Sequence, residues 1–144
     1  MTNWHAFHDA MSRRFSSDSL ISLATIKQGI PYVRTVNALY KDGAFYVITY
    51  AISGKMQHIK ENPLVALCGE WFTGHGMAED AGHILAKKNA LIAGQLREAF
   101  SSWYGNGHIN EQDPYTCILK ITLTDGVMME NGTKYEWKQR DREE

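Results

Sequence analysis

Between residues 18 and 50 three β-rich runs follow one another with almost nothing between them. The run 20–26 closes on Gln28-Gly29, the run 31–40 begins at once, and Lys41-Asp42-Gly43 hands it on to 44–50. A parallel pair needs a crossover of a dozen or more residues, whereas glycine at positive φ closes a hairpin in a few. These strands are therefore antiparallel neighbours. Further runs at 64–72 and 76–84, and a last pair at 115–123 and 127–136 around Thr124-Asp125-Gly126, bring the expected number of strands to about seven.

Helical spacing breaks in at three places. Trp4, Phe7, Met11 and Phe15 make one stripe over 3–17. Residues 53–62 put Met56 and Ile59 on one face and stop at Pro63, which drives its predecessor out of the α region. Over 86–104, Ile92, Leu96, Ala99, Phe100 and Trp103 recur at helical intervals. Strands and helices do not alternate, so the expected fold is α+β and mainly β: an antiparallel barrel with flanking helices. No G-x-G-x-x-G or Walker loop is present, which disfavours a Rossmann or P-loop nucleotide site.

Composition removes several function classes. With 144 residues, 44% apolar content and a net charge of −1, the chain has the size and balance of one globular domain and no bulk pull toward nucleic acid or an anionic membrane. One domain over 1–137 and a polar tail over 138–144 are expected. The start has no basic segment leading an apolar one, and no apolar run approaches the ~20 residues of a membrane span, so the cytoplasm is the expected compartment. Cys68 and Cys117, far apart within apolar runs, read as two buried reduced thiols. His5 and His8 share a helix face without a carboxylate or cysteine to complete a metal set, so no metal is expected. Gly74-His75-Gly76 reads as a bulge or turn.

Two features carry chemistry. Arg34 lies mid-strand on one face with Tyr32, Val36 and Ala38, and a guanidinium there needs a partner or a route to solvent. Ser53-Gly54-Lys55 stands where a strand passes into a helix, whose first N–H groups and partial positive charge suit a phosphate. Taken singly, Arg34 fits a solvated rim position and Ser53 a simple N-cap; taken together they make a clamp for a dianion.

The ordered set Tyr32-Val33-Arg34-Thr35-Val36, Asp42 to Thr49, Ser53-Gly54-Lys55, Asn62 to Leu67 and Gly76-Met77-Ala78-Glu79 resembles the pyridoxamine-phosphate-oxidase-like FMN-binding split β-barrel family over roughly residues 18–128. The resemblance implies FMN as cofactor, its phosphate on Arg34, Ser53 and Lys55 beside Gly54, and backbone around Thr35-Val36 and Ile48-Thr49 along the ribityl chain and ring. It also implies a homodimer with the flavin between subunits. Trp71 is a candidate wall of that groove, or a core or dimer-seam residue. The implied activity is an FMN-dependent oxidoreductase moving hydride or electrons from a reduced nicotinamide or other donor to a small-molecule acceptor. The alternative is a non-catalytic flavin, deazaflavin or haem binder or sensor. The pyridoxamine phosphate oxidases proper end in a basic, histidine-containing element; this chain ends Tyr135-Glu136-Trp137-Lys138-Gln139-Arg140 and looks more like the short general-stress-type relatives.

Overall fold

The computed structural model describes residues 3–139. Helix α1 (Trp4–Phe15) is capped by Asn3, whose side-chain oxygen accepts from Ala6 N at 2.9 Å, and its buried stripe is Phe7, Ala10, Met11 and Phe15. Strands β1 (Ser19–Lys27), β2 (Ile30–Lys41) and β3 (Ala44–Tyr50) precede helix α2 (Gly54–Glu61). Strands β4 (Leu64–Gly69) and β5 (Phe72–His83) follow, then a 3₁₀ turn (Lys87–Asn89) and helices α3 (Ala90–Ala99) and α4 (Ser101–Tyr104). Strands β6 (Thr116–Glu130) and β7 (Thr133–Lys138) complete the order.

All strand pairs are antiparallel, in the order β3-β2-β1-β4-β5-β6-β7, and β3 also pairs with β6. That last pairing, Ala44↔Thr122 through Tyr50↔Thr116, closes six strands into a barrel and leaves β7 outside on β6. The ring is not equally tight all round. Strands β2 and β3 pair only at Leu39↔Tyr46, Tyr40↔Phe45 and Lys41↔Ala44, next to their turn; beyond that point they part. The barrel is split there.

Inward residues alternate as period two requires: Ile21 and Leu23, Ala38 and Tyr40, Phe45 and Val47, Val65 and Leu67, and Leu119 and Ile121 meet in one cluster with the α1 stripe. A second cluster on the outside seats α3 and α4 through Leu96 and Phe100 against Leu39, Ile84 and Ile118.

Four expectations need correction. The turn between β4 and β5 is at Glu70-Trp71, not at the glycines: β5 starts at Phe72, and Gly74 and Gly76 lie within it beside a register shift at His75/Gly76. A Cβ on Gly74 would come within 2.6 Å of Asp125 O, so these glycines serve close strand contact, opposite a bulge whose extra residue is Thr124 of β6. Strand β6 likewise continues past its bulge at Thr124 and through Asp125-Gly126, where a Cβ on Gly126 would meet Phe7 Cζ at 2.7 Å, and the true turn is Asn131-Gly132, both at positive φ. The single helix expected over 86–104 breaks at Phe100, which is fully buried at φ −96°, ψ 14°. Cys68 is exposed on β4, while Cys117 is buried, its thiol pushed up to about 12 by burial and by Asp80. Of the expected polar tail, residues 140–144 lie outside the described residues.

Candidate functional site

The strand ends Lys27, Ile30, Tyr50, Leu64 and Thr116 lie at one mouth of the barrel, and α2 covers it, with Met56 and Ile59 in the main core. Ser53 starts α2: its N–H donates to Tyr50 O at 2.9 Å and its carbonyl accepts from Gln57 N at 3.0 Å. Its side chain does not cap the helix. Among the described residues its buried Oγ has no hydrogen-bond partner. A hydroxyl buried this way costs roughly 1–3 kcal/mol, so an uncharged capping role does not account for it. A Cβ on Gly54 would meet nothing within 4 Å, so the space over this helix end is open.

Arg34 points inward with Val36 and Ala38 and leans toward the same mouth. Nη1 donates to Thr25 Oγ1 at 2.7 Å, Leu23 O at 3.2 Å and Tyr32 O at 3.4 Å. Thr25 is fully buried, and its hydroxyl lies 2.8 Å from Nδ1 of His58, a buried residue of α2 whose ring packs on Tyr32 at 4.9 Å. One edge of the guanidinium is thus fixed, and among the described residues Nε and Nη2 have no protein acceptor. That edge is a planar fork of donors, the shape that grips a phosphate with two parallel bonds.

Lys55 shares the space. Burial pushes its pKa below 10.5, and the Arg34 charge pushes it further; Arg34 is itself lowered by burial. Among the described residues neither cation has a carboxylate within ion-pair distance. Two like charges are therefore held close, partly desolvated and unneutralised, beside an unpaired hydroxyl and the positive end of a helix. A protein tolerates that cost where an anion supplies the missing charge.

The structure brings most of the sequence-predicted residues to this place. Arg34, Thr35 and Val36 form one lip of the split and Ile48 and Thr49 the other, with Ser53, Gly54 and Lys55 at its open end. Counting out from the two-residue Gln28-Gly29 turn, Thr35 is one of the β2 residues whose N–H and C=O face away from β1, into the split. The Ile48 side chain packs outward beneath α3, while Thr49 keeps the inward parity of Val47. Trp71 is not with them. It is 70% exposed, at φ 53°, on the turn at the opposite end of the barrel, where Arg14 bonds to Glu70 O and Met129 O. Sequence reasoning missed Thr25 and His58. The two-residue turn held the signal for Thr25, because it fixes Leu23↔Arg34 and so puts Thr25 diagonal to Arg34. Among the described residues no three His, Cys, Asp or Glu converge on a metal-sized site. No helix there is long and apolar enough to cross a membrane.

Residues 7–129 match the family described as pyridoxamine 5′-phosphate oxidase. Solved structures of similar fold include General Stress Protein 26 from Bacillus anthracis str. Sterne, at 16% identity and TM-score 0.67 over 90% of this chain and 98% of that one. A heme binding protein from Mycobacterium smegmatis superposes at 14% identity and TM-score 0.70 over 95% of this chain and 59% of that one. A FAD-binding protein from Mesorhizobium loti does so at 17% identity and TM-score 0.58 over 80% and 88%. No curated protein matches the sequence.

Proposed function

The chain belongs to the pyridoxamine 5′-phosphate oxidase family, and from that premise we propose that it binds FMN, with the phosphate in the clamp of Arg34, Ser53 and Lys55. The observation that carries the reading is the unneutralised cation pair beside the orphaned Ser53 hydroxyl. The residues fit a phosphomonoester dianion: Arg34 offers two donors, Lys55 a point charge, Ser53 a hydroxyl, and the first turn of α2 its N–H groups over the open face of Gly54. Backbone at Thr35-Val36 and Ile48-Thr49 lines the remainder of the ligand along the split. Bound FMN supplies hydride or single-electron transfer between a donor and a small-molecule acceptor, which makes the protein an oxidoreductase. The polypeptide's share is to bind, orient and exclude water.

A homodimer completes the site. Leu20, Val33, Leu64 and Met77 stand exposed on the outer face of β1, β2, β4 and β5, more apolar surface than a monomer keeps without use. Trp71 is too far along the barrel to reach its own chain's clamp, so its place in a flavin site is the partner's. A tryptophan held exposed at positive φ costs about 1–2 kcal/mol, which fits a residue kept for contact.

Freshly purified protein is expected to be yellow, or to quench added FMN fluorescence at micromolar concentration, and to run as a dimer by size exclusion with light scattering. Bleaching of the bound flavin by NADH or NADPH, with steady turnover in air, is expected of the oxidoreductase. Colourless protein that leaves micromolar FMN unquenched ends the flavin reading.

A further inference from the structure

The hydrogen bonds behind the clamp assign a role to two residues that touch no ligand. We infer that Thr25 and His58 are positioning residues, holding the strand-borne half of the clamp in register with the helix-borne half, with His58 neutral and protonated at Nε2. The inference rests on the phosphate reading above.

Proton direction decides it. The Arg34 guanidinium can only donate, so Thr25 Oγ1, 2.7 Å from Nη1, accepts there. The one hydroxyl hydrogen of Thr25 is then directed to its other neighbour, Nδ1 of His58, at 2.8 Å. Nδ1 must accept, so the ring hydrogen is on Nε2. With a hydrogen on Nδ1 instead, the buried Thr25 oxygen would receive two donors and its own hydrogen would lose its acceptor. The relay Arg34–Thr25–His58 joins β2 to α2 through β1, and α2 is the helix that carries Ser53 and Lys55. Clamp width, the spacing of the Arg34 fork from the helix end, is set by this chain and by the Tyr32 ring packed on His58. It also leaves Nε and Nη2 as the edge that faces the ligand.

The test compares FMN with riboflavin, which has the same ring and no phosphate. Thr25→Val keeps the buried shape and deletes the relay, and His58→Leu deletes its far end. Each is expected to weaken FMN binding about tenfold, the scale of one hydrogen bond to a charged group, and to leave riboflavin binding unchanged. Thr25→Ser and His58→Asn keep a hydroxyl and an acceptor in place and are expected to restore FMN affinity. A long-range ¹H–¹⁵N spectrum of the wild-type protein is expected to show His58 Nδ1 without a proton. Equal losses for FMN and riboflavin, unchanged FMN affinity in Thr25→Val and His58→Leu, or a protonated Nδ1 overturn the inference. If wild-type protein binds no FMN, the phosphate reading falls and takes this with it. If Lys55→Ala loses FMN and Thr25→Val does not, only the relay falls.

Discussion

Lys55→Ala is expected to weaken FMN binding by about 1.5–3 kcal/mol, roughly 10- to 150-fold, and to leave riboflavin affinity untouched, since what is lost is a charge-assisted bond to phosphate. The same site predicts an opposite effect on the ligand-free protein. Burial, and then Arg34, hold the Lys55 pKa below 10.5. For a cation with a lowered folded-state pKa, the unfolded chain holds more protons between the two pKa values, so stability rises with pH across that interval and the penalty is complete below it. Lys55→Met keeps the aliphatic stem and removes the charge. Its urea midpoint without ligand at pH 7 is expected at or above that of wild type, while FMN binding falls as in the alanine variant. A lower midpoint joined to unchanged FMN affinity would falsify the clamp as an anion site.

Gly74→Ala is expected to be the more damaging change to the fold, at about 3 kcal/mol, or roughly 10 °C in Tm. Gly74 faces Gly126 across β5 and β6, and an added methyl would lie 2.6 Å from Asp125 O and 3.2 Å from Gly126 Cα. Backbone in the middle of a ladder cannot step aside as a flexible side chain can. Equilibrium unfolding in urea measures the loss, and a change under 0.5 kcal/mol, the scale of an indifferent surface substitution, would show that the ladder yields.

The turns at Gln28-Gly29 and Asp42-Gly43, with β1, β2 and β3, were legible because each rests on local chemistry: a residue pair at positive φ between alternating apolar runs. So were the positions of Arg34 and of Ser53-Gly54-Lys55, the first placed by strand parity and the second by a helix start. The later turns were misread for one physical reason. Glycine marks both a tight turn and a close approach of other atoms, and the sequence does not say which. Gly74 and Gly126 are close-approach positions, while the real β4–β5 turn puts Trp71 at φ 53°, where residue preference expects glycine or asparagine. Asn131-Gly132 was a stronger turn signal than Thr124-Asp125-Gly126 and was hidden by the unusual length of β6. The break at Phe100 comes from burial against Ile118 and Leu96, a tertiary demand with no local trace. His58 was invisible because its meaning depends on Thr25, 33 positions away.

The split between β2 and β3 has a consequence for how the molecule breathes. Three residue pairs near Asp42-Gly43 act as a fixed spine, and past them, among the described residues, no ladder pairing joins the two strands directly. Amide exchange with heavy water should therefore alternate along β2, slow where an N–H is tied to β1 and fast at Thr35, whose N–H looks across the gap. Anything that lies along both lips ties them like a stitch, so that filling the gap slows exchange far from the point of contact.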